Sequence, residues 1–320
     1  MKNKKRGLFF VITGGILWGS SGTSAEYLFS GLHVSPNWLV GIRLFSAGLL
    51  LLIWYGMTAG KSVFDIWKKK TSWIMLILFA FLGVLPSQWT YFLAINYGNA
   101  PTATVLQFLG PLFIIVYLTV ANRELPRRTD VISVILALIG TFLLVTNGNL
   151  NGLVLSPLAL FWGVMSGVAS ATYTLLPRGL LTKYDARSVV GWAMLISSFS
   201  FVGEVTTKPL PKLNLMGILC ILFIIIFGTM FAYLFYLSSL RDLSPSTTSM
   251  LSSFEPLTAT VLSVTLLSTP ITLVQLIGGV LILSTTFLQA LPTKTMEHSE
   301  ASEEAELEDD SGVSASGHKD

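Results

Sequence analysis

Charge is scarce in this chain. Lys, Arg, Asp and Glu together make up 12% of its 320 residues, where an ordinary soluble domain carries roughly 25%. Apolar side chains supply 52%, more than a soluble fold of this length can hide from water, so a soluble class is excluded. Cysteine is nearly absent: the one thiol, Cys220, lies inside an apolar run. That excludes a disulfide or cysteine-metal framework within one chain, and packing is the simplest reading of it. Histidine is confined to His33, His298 and His318, all outside the apolar runs. With no histidine pair, ligand cluster or carboxylate pair at depth, hydrolysis and group transfer lack their acid, base or metal. An enzyme is therefore not expected, nor a metal, a cofactor or a nucleic-acid partner. A channel would need a ring of like charges or a repeated filter loop, and neither is written here. A membrane-embedded enzyme or an uncoupled, channel-like facilitator is kept as the alternative to a transporter.

What is present is a series of uncharged runs of about 20 residues between short charged loops, the signature of spanning helices. The first follows Lys2, Lys4, Lys5 and Arg6 and covers 7–29, too long for a signal-peptide core. The others fall at 37–57, 72–96, 101–121, 130–147, 157–177, 188–206, 214–239, 245–266 and 271–291, which makes ten. With residues 1–6 cytoplasmic, Lys61, Lys68, Lys69, Lys70, Arg123, Arg127, Arg128, Arg178, Lys183, Arg187 and Arg241 all lie inside, and only Lys208 and Lys212 outside. This bias predicts cytoplasmic N- and C-termini. Residues 292–320 hold nine of the seventeen acidic residues and few aliphatic ones, so a disordered cytoplasmic tail is expected.

One stretch contradicts its surroundings. From Leu243 to Thr260 the chain reads LSPSTTSMLSSFEPLTAT, with ten Ser, Thr or Glu side chains in a segment placed within the bilayer. Pro256 brings no N–H and clashes with the carbonyl four residues back, so it is expected to leave the Ser252 carbonyl without its helical partner. Such a break beside Glu255 is tolerated only against other helices or a watered cavity. Thr248, Ser252 and Glu255 fall on one helical face by spacing. That face is the expected substrate path.

A shift of 145 residues lays 81–143 on 226–288 without a gap. It matches Gly83 with Gly228, Tyr91 with Tyr236, Leu106 with Leu251, Pro111 with Pro256 and Thr141-Phe142-Leu143 with Thr286-Phe287-Leu288. Gln107 then falls on Ser252 and Gly110 on Glu255. The chain thus reads as a first repeat over 7–147 and a second over 148–291. Five spans per repeat is an odd number, which puts the copies in opposite orientations, the inverted plan of secondary transporters with a midplane site.

LWGSSG at Leu17–Gly22, Arg43 in the second span, ATVLQFLGP at Ala103–Pro111, GTFLL at Gly140–Leu144, LFWG at Leu160–Gly163 and FEPL at Phe254–Leu257 resemble the EamA transporters of the drug/metabolite transporter superfamily. The similarity is greatest to bacterial inner-membrane carboxylate, amino acid or amine permeases, and it runs from Gly7 to Ala290. The resemblance implies an all-α integral membrane protein, a basket of ten transmembrane helices around a central cavity. It also implies export or exchange of small metabolites at the plasma membrane, often coupled to protons. Small-molecule substrate and lipid bilayer are the partners, and homo-oligomer formation is left open.

Few ionisable groups lie at depth. Glu255 is roughly 15 Å from either end of its span by helical rise, so it cannot reach water by extending, and holding a proton or a substrate cation is its expected role. A protonated, purely structural Glu255 beside the break is the alternative. Glu26 and Glu204, within about two turns of the outer surface, read as interfacial. Arg43 sits near a helix N-terminus, where the macrodipole disfavours a cation. It therefore needs a carboxylate, which Glu26, the substrate or Glu255 would supply. Trp18, Gln88, Trp89, Tyr91, Gln107, Trp162, Tyr173 and Tyr236 are aromatic or amide groups within spans. Helix packing suffices for any one of the aromatics, whereas Gln107 cannot face lipid cheaply.

Overall fold

Among the described residues five helix starts carry a capping side chain, and three of these have a proline just inside. Ser35 accepts from Trp38 N ahead of Pro36, Asn99 from Thr102 N ahead of Pro101, and Ser156 from Ala159 N ahead of Pro157. Side-chain oxygens there satisfy amides that no helical carbonyl can reach, and proline sits where its missing N–H is harmless. A computed structural model describes residues 4–122, 128–149, 154–239, 242–243, 248 and 251–289. The expected tail over 292–320, and most of the 244–250 stretch, lie outside the described residues.

All regular elements among the described residues are helical. They are α1 (Lys4–Leu32), α2 (Pro36–Ala59), a 3-10 segment (Gly60–Lys68), α3 (Lys70–Phe79), α4 (Leu85–Tyr97), α5 (Ala100–Gln107), α6 (Gly110–Asn122), α7 (Arg128–Thr146) and α8 (Pro157–Leu175). After these come α9 (Arg178–Leu181), α10 (Ala186–Ser198), a 3-10 turn (Phe199–Phe201), α11 (Val202–Thr207), α12 (Leu215–Ile225), α13 (Ala232–Ser239), α14 (Phe254–Leu267) and α15 (Leu273–Gln289). Among the described residues eight helical stretches, from Lys4–Leu32 to Leu215–Tyr236, are long and apolar enough to cross a bilayer, and two shorter apolar helices follow. At 1.5 Å per residue α14 reaches about 21 Å, short of a ~30 Å hydrocarbon core.

Helix breaks are expected at Pro111 and Pro256, and two further spans depart from regular α-helix. The run expected over 101–121 is two helices, α5 and α6, parted at Phe108–Leu109 just before Pro111. A similar turn at Ser252–Ser253 precedes α14. The spans expected over 72–96 and 214–239 each contain one turn of π-helix, Ala80–Val84 and Ile226–Phe231. A π-turn carries one residue more than an α-turn and so releases a carbonyl from the regular ladder.

Packing pairs α2 with α10, α7 with α15, α4 with α8, and α1 with both α13 and α14. Small residues let these backbones approach. A Cβ on Gly140 would lie 2.7 Å from the Gly278 carbonyl oxygen, and one on Gly278 would lie 2.6 Å from that of Gly140, so α7 and α15 cross at bare backbone. The main core gathers Leu28, Leu39, Leu44, Phe79, Phe92, Met194 and Ile224, and a smaller one Leu106, Leu109, Leu144 and Ile282. Phe9, Met57, Val120, Leu138, Leu219, Val261 and Val280 are exposed, as suits a surface solvated by lipid rather than water.

Candidate functional site

Between these helices lies a cavity of about 140 Å³ lined by Trp18, Ser21, Arg43, Ser87, Gln88, Tyr91, Gln107, Ser170, Tyr173, Tyr233 and Glu255. At ~30 Å³ per water it holds about five waters or a small solute. The two helix breaks bring Gln107 and Glu255 to it, one at the end of α5 and the other in the first turn of α14. Seven residues singled out from sequence therefore meet here: Trp18, Arg43, Gln88, Tyr91, Gln107, Tyr173 and Glu255.

Five others do not line it. Tyr236 packs behind Trp18, ring centroids 5.3 Å apart, and Trp162 packs on Trp89 at 5.7 Å. Trp89 itself donates to Asn37 Oδ1 at 2.7 Å. Thr248 is fully buried and Ser252 half-buried, away from the cavity wall. The expected shared face of Thr248, Ser252 and Glu255 fails for a local reason. Glu255 N donates to Ser252 O at 2.9 Å in a three-residue turn, which changes the helical phase between them. The same bond corrects the expectation that Pro256 strands the Ser252 carbonyl. Pro256 and Asn99 instead line a separate, mostly apolar pocket of about 170 Å³.

The site includes residues the sequence reading missed. Tyr233 stands edge-on to Trp18 at 5.3 Å and accepts from Gln88 Nε2 at 3.4 Å. Its signal was available, because the 145-residue shift lays Gln88 on Tyr233. Ser21, Ser87 and Ser170 carried no signal beyond being small and polar. Tyr91 Oη and Thr104 Oγ1 are 2.9 Å apart, fixing the ring at the wall.

Arg43 is 4% exposed. Its Nε donates to Thr229 Oγ1 at 2.6 Å, its Nη2 to the Gly228 carbonyl at 3.3 Å, and its Cζ lies 4.8 Å from the Phe92 ring centroid. The pairing considered with Glu26 is absent, since Glu26 has other partners. Nor is Glu26 interfacial. It is 7% exposed, with Oε2 accepting from Ala100 N at 2.9 Å and Ser263 Oγ at 2.8 Å, and Oε1 from Thr269 Oγ1 at 2.8 Å. Glu204 is nearer its expected setting, held by Ser35 Oγ at 2.8 Å and Lys208 Nζ at 2.8 Å. Among the described residues no carboxylate lies within 4.0 Å of Arg43, and Glu255 accepts no hydrogen bond. A guanidinium and a carboxyl, neither in an ion pair among the described residues, thus face one cavity.

A helical protein of several apolar spans, closed around a polar cavity at two broken helices, has the build of a membrane transporter. The chain belongs to the EamA-like transporter family, whose sequence profile matches residues 5–146 and again 157–291. It is 36% identical over 297 residues to the inner membrane transporter YicL of Salmonella typhimurium, covering 92% of this chain and 98% of that one. It is 24% identical to the transporter YyaM of Bacillus subtilis over 84% of this chain and 88% of the other. A solved crystal structure superposes with TM-score 0.60 over 90% of this chain and 97% of its own, at 16% identity, and that likeness speaks for the fold alone. The protein is therefore a multi-pass membrane transporter.

Proposed function

We propose that this transporter is a secondary carrier of ten spans in two inverted five-helix repeats. It moves small amino acid, amine or carboxylate metabolites across the plasma membrane by alternating access, with Glu255 coupling the cycle to protons. The observation that carries this reading is the joint exposure of Arg43 and Glu255 to one cavity bounded by both helix breaks. Arg43 suits a substrate carboxylate. Glu255, without a hydrogen-bonding partner among the described residues, is placed to exchange a proton or to hold a substrate ammonium.

Four features support the repeats. The two π-turns lie close to one 145-residue interval, as do the two helix breaks. Gln88 and Tyr233, equivalent in that register, bond each other, as residues near a pseudo-twofold axis do. α2 and α10 are repeat equivalents and pack together, as do α7 and α15. The family profile also matches the chain in two stretches. The orientation has support too. Tyr184 Oη donates to Ser72 Oγ at 2.9 Å and Ser188 Oγ to the Val63 carbonyl at 3.2 Å. These bonds bring the loops holding Lys61, Lys68, Lys69, Lys70, Lys183 and Arg187 to one end.

Purified protein in proteoliposomes, offered labelled amino acids, monoamines and short carboxylates with and without an imposed pH gradient, tests the proposal. At least one solute should move, faster with the gradient. Glu255→Gln should abolish the response to the gradient. An undiminished response in that variant removes the coupling role, and a wild-type protein that moves none of the panel removes the reading.

A further inference from the structure

Among the described residues every serine and threonine hydroxyl that folds back onto its own helix reaches a carbonyl three or four residues earlier, as Thr23 does to Gly19 and Thr104 to Ala100, with one exception. Thr229 Oγ1 donates to Ile224 O, five residues back, at 2.8 Å. A regular α-turn does not allow that reach, whereas the π-turn Ile226–Phe231 does. The hydroxyl has one proton, committed to Ile224 O, so toward Arg43 it can only accept. In the same turn the Gly228 carbonyl accepts from Nη2, while the amide four residues on, Ala232 N, bonds Phe227 O and Thr229 O. Thr229 is fully buried and does not line the cavity; it stands behind the wall.

We propose that Thr229 is a positioning residue for anion recognition. Its π-turn grips Nε and Nη2 of Arg43, leaving Nη1 as the guanidinium nitrogen with no hydrogen-bond partner among the described residues, and Nη1 receives the substrate's carboxylate. The inference rests on the proposed role of Arg43 as the carboxylate's counter-charge. It adds that the second half of the chain, through α12 and α13, aims a cation carried by the first half. Side-chain entropy is the physical reason such a grip is needed. A long arginine in a roomy cavity would sample many rotamers, and each hydrogen bond to a fixed acceptor removes some of them before substrate arrives.

The test compares Thr229→Val, which keeps the shape and loses the hydroxyl, with Thr229→Ser, which keeps the hydroxyl. KM and Vmax are measured in proteoliposomes for the carboxylate-bearing solute of the panel that wild type moves fastest. Arg43 modification by phenylglyoxal is followed by mass spectrometry on purified protein. Thr229→Val should raise KM by about tenfold, the scale of one charge-assisted hydrogen bond, with Vmax per folded molecule nearly unchanged. Its Arg43 should react faster with phenylglyoxal. Thr229→Ser should match wild type in both. Equal behaviour of Thr229→Val and wild type in KM and labelling overturns the proposal, and so does a Thr229→Ser as impaired as Thr229→Val. Should Thr229→Val fail to fold, Thr229→Ala against Thr229→Ser gives the same comparison without added bulk. The labelling does not depend on transport, so failure to find a solute would defeat the functional reading while the labelling still judges the grip on Arg43.

Discussion

The Glu26 carboxylate accepts three hydrogen bonds from described residues, and it does so outside the cavity. Its three acceptor bonds join α1 to the first amide of α5, to Ser263 on α14 and to Thr269 in the turn that follows α14. Ser268, in the left-handed region at φ 54°, ends α14 and precedes Thr269. An anion beside the unpaired amides of α5 is also favoured by the helix dipole. Hydrogen bonds between membrane helices average ~0.6 kcal/mol each, so three amount to about 2 kcal/mol. Glu26→Ala should therefore lower the thermal midpoint in detergent by several degrees, while Glu26→Gln, which keeps one acceptor oxygen, should lose less. A differential scanning fluorescence series checks this, and an unshifted Glu26→Ala would mean that these bonds contribute no net stability. From sequence, Glu26 read as interfacial because depth along a helix is legible and rotation about it is weakly so. Whether a carboxylate near the outer end faces water or a neighbouring helix depends on partners such as Thr269, 243 residues away. Arg43 shows the converse. Its burial and its need for a counter-charge were legible, but its actual partners, Thr229 and the Gly228 carbonyl, depended on a π-turn that composition does not announce.

At the scale of elements, hydropathy located the spans and proline located both breaks, because those signals are local. The π-turns were invisible to hydropathy, yet each contains one of the matched glycines, Gly83 and Gly228. A glycine recurring inside an apolar run at the same place in both halves was the trace they left. The α1 and α14 crossing is similar. A Cβ on Gly19 would collide with the Glu255 carbonyl oxygen and come within 2.9 Å of Ala259 N. Both obstacles are backbone, which cannot turn aside. Gly19→Ala should cost about 1–3 kcal/mol through this overlap, despite alanine's better helix propensity. Gly56→Ala in α2, where a Cβ meets nothing within 4 Å, should be neutral or stabilising by up to about 1 kcal/mol. Size-exclusion profiles and thermal midpoints of the two variants side by side give the answer. A Gly19→Ala protein as stable as wild type would show that α1 and α14 are looser than drawn, and with them the seat of Glu255.

At the scale of the whole molecule, the proposed five spans per half have a consequence that the eight long apolar helices and two shorter ones among the described residues do not settle by themselves. An odd count makes equivalent loops of the two halves lie on opposite sides of the membrane, whereas an even count would place them on the same side. The 145-residue register sets Lys61, just past α2, against the stretch that holds Lys212, and His33, between α1 and α2, against Arg178. In a Cys220→Ala background, single cysteines at His33 and Lys212 should react with an impermeant maleimide applied to intact cells. Those at Lys61 and Arg178 should react only after the cells are opened. The charge distribution argues for the same prediction, because the loops with Lys61, Lys68, Lys69 and Lys70 meet those with Lys183 and Arg187 at one end, while Lys208 is tied through Glu204 to Ser35 beyond the end of α1. Equal labelling of Lys61 and Lys212 from outside would make the halves parallel. The cavity would then lie between copies facing the same way, and exchanging the roles of the two halves could no longer turn an outward opening into an inward one.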